Sequence, residues 1–310
     1  MVGGSVRHVP VLVDEVLAYL RPSRGGLYFD GTLGDGGHSE AILESGTDAR
    51  VIGVDRDPEA LEVASRCLAR FGERIEFERA NFADAAERLD RRLAGALLDL
   101  GLSSRHLDVT ERGFSFRPGT PLDMRMAGRS SSGTPTAADL LNALSERELS
   151  DLFRRYGEER RSRRLASEIV RRRRESPFET SDDLVSVLER VYGPQLTTQD
   201  KARIFQALRI AVNDELGALE RALPALRDRL EPGGVLVVIS YHSLEDRRVK
   251  LAFREWSRGC VCPPELPVCR CRGEPLGEVL TRRPVAPTPE EVERNPRSRS
   301  ARLRAWRKAA

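Results

Sequence analysis

The chain reads as an α/β protein, a doubly wound Rossmann-like parallel sheet carrying a helical insertion. Three observations predict this. Short apolar runs alternate with amphipathic stretches between residues 27 and 100, three of those runs end in aspartate, and the strand pattern then stops for more than a hundred residues before one strand returns. Strands alternating with helices pair into parallel sheets covered on both faces. Such sheets bind ligands beyond the carboxyl ends of their strands.

Leu27-Tyr-Phe-Asp30 is the first strand, running into a glycine-rich loop before Ser39 to Leu43 starts a helix. Arg50-Val-Ile-Gly-Val-Asp55 is the second, followed by a helix over Pro58 to Phe71. Ile75-Glu-Phe-Glu is the third, with a helix near Phe82 to Leu93, and Ala96-Leu-Leu-Asp99 is the fourth. Asp30, Asp55 and Asp99 each end a strand, so all three are expected at one crevice. Ser145 and Glu148 make a capping box, with Leu149, Leu152, Phe153 and Tyr156 at helical spacing behind it. Leu165 and Ile169 continue that pattern up to Arg171, and Ser181 to Val191 and Gln199 to Leu230 read as further helices. Strand character returns in Val235-Leu-Val-Val-Ile239. The expected organisation is a discontinuous domain, residues 1–112 and 214–310, interrupted by a helical domain, residues 113–213.

The apolar types make up 40% of 310 residues, and 25 glycines bring the total into the ordinary globular range, ~45–50%. No apolar run exceeds five residues, whereas a spanning helix needs roughly 20, so no membrane role is expected. The first eight residues lack the basic and apolar regions of a signal peptide, which points to a cytoplasmic protein. Net charge is only +3, yet arginine is clustered: ten arginines stand against three glutamates from Arg154 to Arg174, and seven basic residues against no acid from Arg294 to Lys308. Such runs suit a polyanion, because each neutralised phosphate releases counterions. They equally suit solvated helix faces laced with ion pairs.

The loop Asp30-Gly-Thr-Leu-Gly-Asp-Gly-Gly-His38 places glycines where backbone must approach a ligand or adopt positive φ. It is neither the dinucleotide fingerprint, since Gly34-x-Gly36 is followed by Gly37, His38 and Ser39, nor a P-loop, since no Gly-Lys-Ser/Thr follows. It is closest to the acidic-x-Gly-x-Gly-x-Gly loop of S-adenosylmethionine-dependent methyltransferases, with Thr32 in place of the first glycine. Asp55, twenty-one residues after Gly34, is placed to accept both ribose hydroxyls of an adenosine cofactor, a role that fits NAD equally well. Asn81-Phe82 offers a polar group and an aromatic face for an adenine, or simply a core phenylalanine.

Several motifs then occur together: His8-Val-Pro-Val-Leu, Phe29-Asp-Gly-Thr-Leu-Gly-Asp-Gly-Gly-His-Ser39, Leu97-Leu-Asp-Leu-Gly-Leu-Ser-Ser104, Glu111-Arg-Gly-Phe-Ser-Phe116, Pro121-Leu-Asp-Met-Arg-Met126, Tyr156-Gly-Glu-Glu-Arg160, Ile239-Ser-Tyr-His-Ser-Leu-Glu-Asp-Arg247 and Asn295-Pro-Arg-Ser-Arg-Ser300. The set resembles the bacterial ribosomal RNA small-subunit methyltransferase H family, also called MraW, over nearly the whole chain. The resemblance implies S-adenosylmethionine as cofactor and N4-methylation of one cytidine in the decoding region of 16S ribosomal RNA, with the assembled small subunit favoured over free RNA. It implies cofactor contacts at Gly36, Gly37, His38, Asp55, Phe82 and Asp99, and at His106, where the family usually carries glutamine. The last motif lies in a proline- and arginine-rich tail, which is therefore expected to be partly ordered.

Methyl transfer from a sulfonium is an in-line displacement that depends on positioning. The cytosine amine is conjugated with its ring, so an acceptor must draw its lone pair out. Asp99 is the candidate, an acceptor-only carboxylate at the end of the fourth strand. The Asp/Asn-Pro-Pro-aromatic stretch common in nucleic-acid amine methyltransferases is absent here, so the base must meet other residues. Tyr241, His242 and Ser243 end the last apolar strand, and His242 and Ser243 are expected to help hold the cytosine, unless His242 only caps the next helix. Cys260-x-Cys262-(x)6-Cys269-x-Cys271 suits a structural zinc, reduced thiols or redox-sensitive disulfides. Two alternatives stand beside the leading reading: a methyltransferase acting on DNA or another RNA amine, and a noncatalytic RNA-binding assembly factor. The insertion and the two basic runs are expected to grip RNA on either side of the crevice, and an exposed insertion also admits a homodimer.

Overall fold

The computed structural model describes residues 10–103, 109–128, 133–260, 262, 270–271 and 273–310. His106 and Cys269 lie outside these described residues, as does the His8 motif up to Val9. In chain order the elements begin α1 (Val13–Leu20), β1 (Gly26–Asp30), α2 (Gly37–Ser45), β2 (Ala49–Asp55), α3 (Pro58–Leu68), β3 (Ile75–Arg79), α4 (Phe82–Arg88) and β4 (Leu93–Asp99). Helices α5 (Ala137–Ala143), α6 (Glu146–Gly157), α7 (Ser162–Arg173), α8 (Ser181–Tyr192) and α9 (Thr198–Asn213) follow. The chain then continues through α10 (Glu215–Arg229), β5 (Leu230–Ser240), α11 (Ser243–Trp256), β6 (Gly277–Val279), α12 (Pro289–Arg294) and β7 (Arg302–Lys308). It forms two compact units, one of Met1–Gly101 with Gly217–Ala310, the other of Leu102–Leu216.

The first unit is built on a sheet ordered β3-β2-β1-β4-β5-β7-β6. Strands β1 to β5 run parallel, and β7 lies antiparallel to both β5 and β6. The parallel strands read as continuous apolar runs because both faces are covered. Phe29, Ile52, Val54, Leu98, Leu236 and Val238 pack on one side, while Tyr28, Val51, Leu97, Val235, Val237 and Ile239 pack on the other. Strand order reverses between β1 and β4, which makes their carboxyl ends the switch point where such sheets bind ligands.

The tail is ordered to its end. Ala301, Leu303, Ala305 and Trp306 are wholly buried, and β7 sits inside the sheet rather than trailing from it. Its basic residues acquire internal partners: Arg304 is buried and holds Asp246 bidentately at 2.7 and 2.9 Å, Arg307 pairs with Glu278, and Lys308 donates to the Leu230 carbonyl at 2.7 Å.

The second unit is helical, with its own core around Leu149, Phe153, Leu165, Phe178, Leu188 and Leu208. Capping boxes start α5 (Thr136/Asp139), α6 (Ser145/Glu148), α8 (Thr180/Asp183) and α9 (Thr197/Asp200). Two breaks are invisible to periodicity. The helix expected from Gln199 to Leu230 is divided at Asp214, which turns left-handed (φ 48°) and returns its N–H to the Ile210 carbonyl. Glu158 (φ 47°) ends α6 in the same way and separates it from α7.

Trp306 is fully buried against Trp256, with ring centroids 5.2 Å apart, and Phe253. Trp306→Ala is expected to destabilise the chain by about 3–5 kcal/mol, the usual loss for a buried large aromatic. Urea unfolding followed by circular dichroism would measure it, and a loss below about 1 kcal/mol would mean that the terminal strand is dispensable.

Candidate active site

The loop after β1 joins the carboxyl ends of three strands. Its backbone N–H groups bond to strand ends: Gly31 donates to the Leu97 carbonyl in β4 at 3.0 Å, Thr32 to Asp30 Oδ1 at 3.2 Å, Leu33 to the Val54 carbonyl in β2 at 2.9 Å, and Gly34 to Asp55 Oδ2 at 2.9 Å. The Thr32 hydroxyl oxygen in turn accepts the Asp99 N–H at 2.7 Å. Glycine eases the close approach at two positions in and just after this stretch. A Cβ on Gly31 would lie 2.5 Å from Leu98, and Gly36 combines φ 88° with a Cβ position 2.9 Å from Leu68. Gly36 is also the N-cap of α2 and has no side chain to close it, so no cap side chain competes for the first N–H groups of that helix, the kind of helix start that can hold an anion.

Asp30, Asp55 and Asp99 do end β1, β2 and β4, but their surroundings differ. Asp30 is buried and committed to the loop, accepting from Thr32 N–H and from the Ser39 hydroxyl at 2.7 Å. At 1% exposure it braces the loop from inside, a correction to the expectation that all three aspartates face one crevice. Burial pushes its pKa up despite His38, Ser39 and Thr32 nearby. Asp55 is held through Oδ1 by the Asp57 N–H at 2.9 Å and through Oδ2 by Gly34. Burial raises its pKa as well, against those two amide bonds. Its remaining lone pairs stay available to hydroxyl donors.

Asp99 is the meeting point. Oδ1 accepts the Tyr241 hydroxyl at 2.9 Å, and Oδ2 lies 3.4 Å from His38 Nε2, within ion-pairing reach though not aligned as a hydrogen bond. Burial and the Asp99 charge push the Tyr241 pKa well up, so the phenol stays protonated and donates. Burial disfavours the His38 cation, but Asp99, with Asp30 and Glu291 behind it, outweighs that and leaves the pKa raised. Both ring nitrogens of His38 are buried without a hydrogen-bond partner, as a histidine awaiting a ligand would be. Tyr241 and Thr32 are the partners of Asp99 that the sequence did not reveal. Tyr241 was legible at the end of β5, but only the fold shows that its hydroxyl reaches β4.

His242 is the N-cap of α11. Its Nδ1 accepts the Glu245 N–H at 3.4 Å, while Glu245 Oε2 accepts N–H bonds from Tyr241 (2.9 Å) and His242 (3.3 Å). An accepting Nδ1 places the proton on Nε2, which lies 3.2 Å from Glu245 Oε1. The capping role is thus present whatever else the imidazole does. Ser243 opens the helix with an exposed side chain. Asn81 caps α4 through the Ala83 N–H at 3.0 Å, and Phe82 packs at the edge of one core. Cys260, Cys262 and Cys271 converge: their sulfurs lie within 4.8 Å of one another, and Cys271 Sγ is 3.8 Å from Cys260 Sγ. No described helix is long and apolar enough to cross a membrane.

Comparison with known proteins agrees with this geometry. A family model described as the MraW methylase family matches residues 5–309. The ribosomal RNA small subunit methyltransferase H of Gemmatimonas aurantiaca is 54% identical over 307 residues, covering 97% of this chain and 95% of that protein. Its counterpart in Pelobacter propionicus is 51% identical over 312 residues, covering 97% and 98%.

The His38–Asp99 contact makes a signed prediction. The folded-state pKa of His38 lies above its ordinary 6.5, so the stability it contributes is complete below about pH 6.5 and is lost as pH rises through the folded value. Imidazole NMR should titrate above 6.5 in the parent and lower in Asp99→Asn, and the parent's unfolding free energy should fall more between those values than the variant's. An unchanged midpoint in Asp99→Asn would refute the pairing.

Proposed function

The chain belongs to the MraW methylase family, and from that premise we propose that it methylates the exocyclic N4 of a cytidine in the decoding region of 16S ribosomal RNA, within the small subunit. It is a ribosomal RNA methyltransferase dependent on S-adenosylmethionine; the cytidine, its N4 and the particle are the finer reading. The observation that carries it is the Asp99 carboxylate, hydrogen-bonded by Tyr241, 3.4 Å from the His38 imidazole and 18% exposed.

The residues present fit S-adenosylmethionine. The uncapped start of α2 at Gly36, Gly37 and His38 suits its carboxylate. The unpartnered nitrogens of His38 supply further bonds, Asp55 suits the ribose hydroxyls, and Phe82 offers a face to the adenine. His106, outside the described residues, is a further contact that the family pattern suggests. When bound, the cofactor supplies a methyl carbon on a positively charged sulfur.

Asp99 accepts one N–H of the cytosine amine, which draws the nitrogen lone pair out of conjugation and leaves the carboxylate placed to take the departing proton. Tyr241 stays protonated and holds Asp99 in orientation, so little rearrangement accompanies the reaction. His242 and Ser243, at the start of α11, help hold the base, and the Glu245 capping box fixes their backbone. The helical unit supplies RNA contacts.

Tritiated-methyl transfer to small subunits lacking the modification, run beside naked RNA and DNA, tests the target. Label should map to N4 of one cytidine. Label on DNA or on another amine, or RNA binding without consumption of the cofactor, would overturn the reading. His242→Asn separates the two roles of that residue, since asparagine caps helices well. Single-turnover methylation should fall about 100-fold, within the usual range for a positioned polar group, while the thermal midpoint holds. An unchanged rate would leave His242 as a cap alone.

Cys260, Cys262 and Cys271, with Cys269 completing the sequence pattern, are proposed to bind a structural zinc. The 3.8 Å between the sulfurs of Cys271 and Cys260 is far beyond the ~2.05 Å of a disulfide. It matches the ~3.8 Å edge of a tetrahedron with Zn–S bonds of ~2.3 Å. The Arg270 N–H, 3.3 Å from Cys262 Sγ, supplies the kind of donor that stabilises a metal thiolate. Protein purified without added zinc should carry about one zinc per chain by atomic emission, and Cys271→Ser should lose it. Metal-free parent protein would overturn this.

A further inference from the structure

The motif Tyr156-Gly-Glu-Glu-Arg160 has no part in methyl transfer, yet the chain around it builds a site within the helical unit. Glu158 turns left-handed to end α6, and Glu159 is carried into the interior. There it accepts from the Tyr192 hydroxyl, from Arg203 at 2.7 Å and from the Arg161 N–H at 2.5 Å. The Arg161 guanidinium stacks over the Tyr192 ring at 5.1 Å and donates to Gln195 at 3.0 Å. Glu159, Arg161, Tyr192 and Gln195 of this network line an open groove of about 1130 Å³, which six arginines and two glutamates border in all. Glu159, one of the two, is already matched by Arg203.

The arginines of the long basic run differ in what surrounds them, and five of the ten show the contrast. Arg171 pairs with Glu168 and Glu175, Arg172 pairs with Asp183 and stacks on Phe178 at 5.0 Å, and Arg173 donates to the Leu141 and Leu144 carbonyls at 2.9 and 2.6 Å. These three serve the fold. Arg160 and Arg163, both exposed, line the groove, and among the described residues neither meets an acceptor.

We infer that this groove binds the phosphodiester backbone of RNA, with Arg160 and Arg163 each taking a phosphate. The inference rests on the reading that the chain acts on RNA, and it locates a contact that reading leaves open. Small-molecule pockets are typically ~300–1,000 Å³ and mostly apolar; this groove is larger, open and cationic. Guanidinium forks match phosphate oxygens bidentately and carry no base information. The groove is therefore an anchor for the polymer rather than a reader of sequence.

Full-length protein carrying Arg160→Ala and Arg163→Ala is compared with the parent and with a charge-matched control, Arg66→Ala with Arg88→Ala, whose arginines pair with Glu62 and Glu78 elsewhere. The first readout, without cofactor, is the salt dependence of binding to a fluorescein-labelled oligouridylate. Losing two phosphate contacts on a single strand should lower the logarithmic salt slope by about 1.4, so a fourfold rise in salt should weaken the parent about sevenfold more than the variant. The second readout is methylation of unmodified small subunits, where KM should rise with kcat unchanged. A slope equal to that of the control would overturn the groove assignment while leaving cytidine methylation intact. A changed slope beside methylation of some other target would retain the groove and reject the cytidine. Lost subunit binding with an unchanged oligouridylate slope would assign the groove to a ribosomal protein, which also overturns the inference.

Discussion

Four successive amides after the first strand, from Gly31 to Gly34, hold the site together. Two of them bond the carbonyls of neighbouring strands and two bond aspartates, so one short loop fixes the ends of β1, β2 and β4 relative to each other. The arrangement requires close approach. With a Cβ at Gly31 the loop would collide with Leu98, and without positive φ at Gly36 it could not turn into α2. The positions of Asp55, Asp99 and His38 follow from this loop.

The electrostatics follow from burial. Asp30 and Asp55 have raised pKa values because they are taken out of water, and amide or hydroxyl donors, with the His38 charge beside Asp30, offset only part of that burial. Asp99 differs in having a phenol on one oxygen and an imidazole near the other. A carboxylate oriented by the Tyr241 hydroxyl but still partly exposed can accept a substrate N–H without first being reoriented, which is the preorganisation that polar catalysis depends on.

The small net charge hides a division of labour among the arginines. In the tail, alternation along β7 buries Arg304 against Asp246, while Leu303 and Ala305 pack on the opposite face. In the helical unit, Arg171 to Arg173 tie helices and turns together, whereas Arg160 and Arg163 remain open to solvent. Charge runs that look alike in sequence thus do different work, depending on whether acids or carbonyls lie within a side chain's reach.

What the sequence determined alone was local or periodic in origin. The apolar runs ending in Asp30, Asp55 and Asp99 marked parallel strands because covered sheets need both faces apolar, and the Ser145/Glu148 box marked a helix start because its hydrogen bonds span three residues. The glycine loop declared a close backbone approach through its composition. Only tertiary structure decided that Tyr241 reaches Asp99 across 142 positions of chain, and that Asp214 divides what periodicity reads as one helix. Each of these depends on a partner distant in sequence or on a left-handed backbone residue that leaves the hydrophobic period intact, and neither leaves a mark in the local pattern of residues.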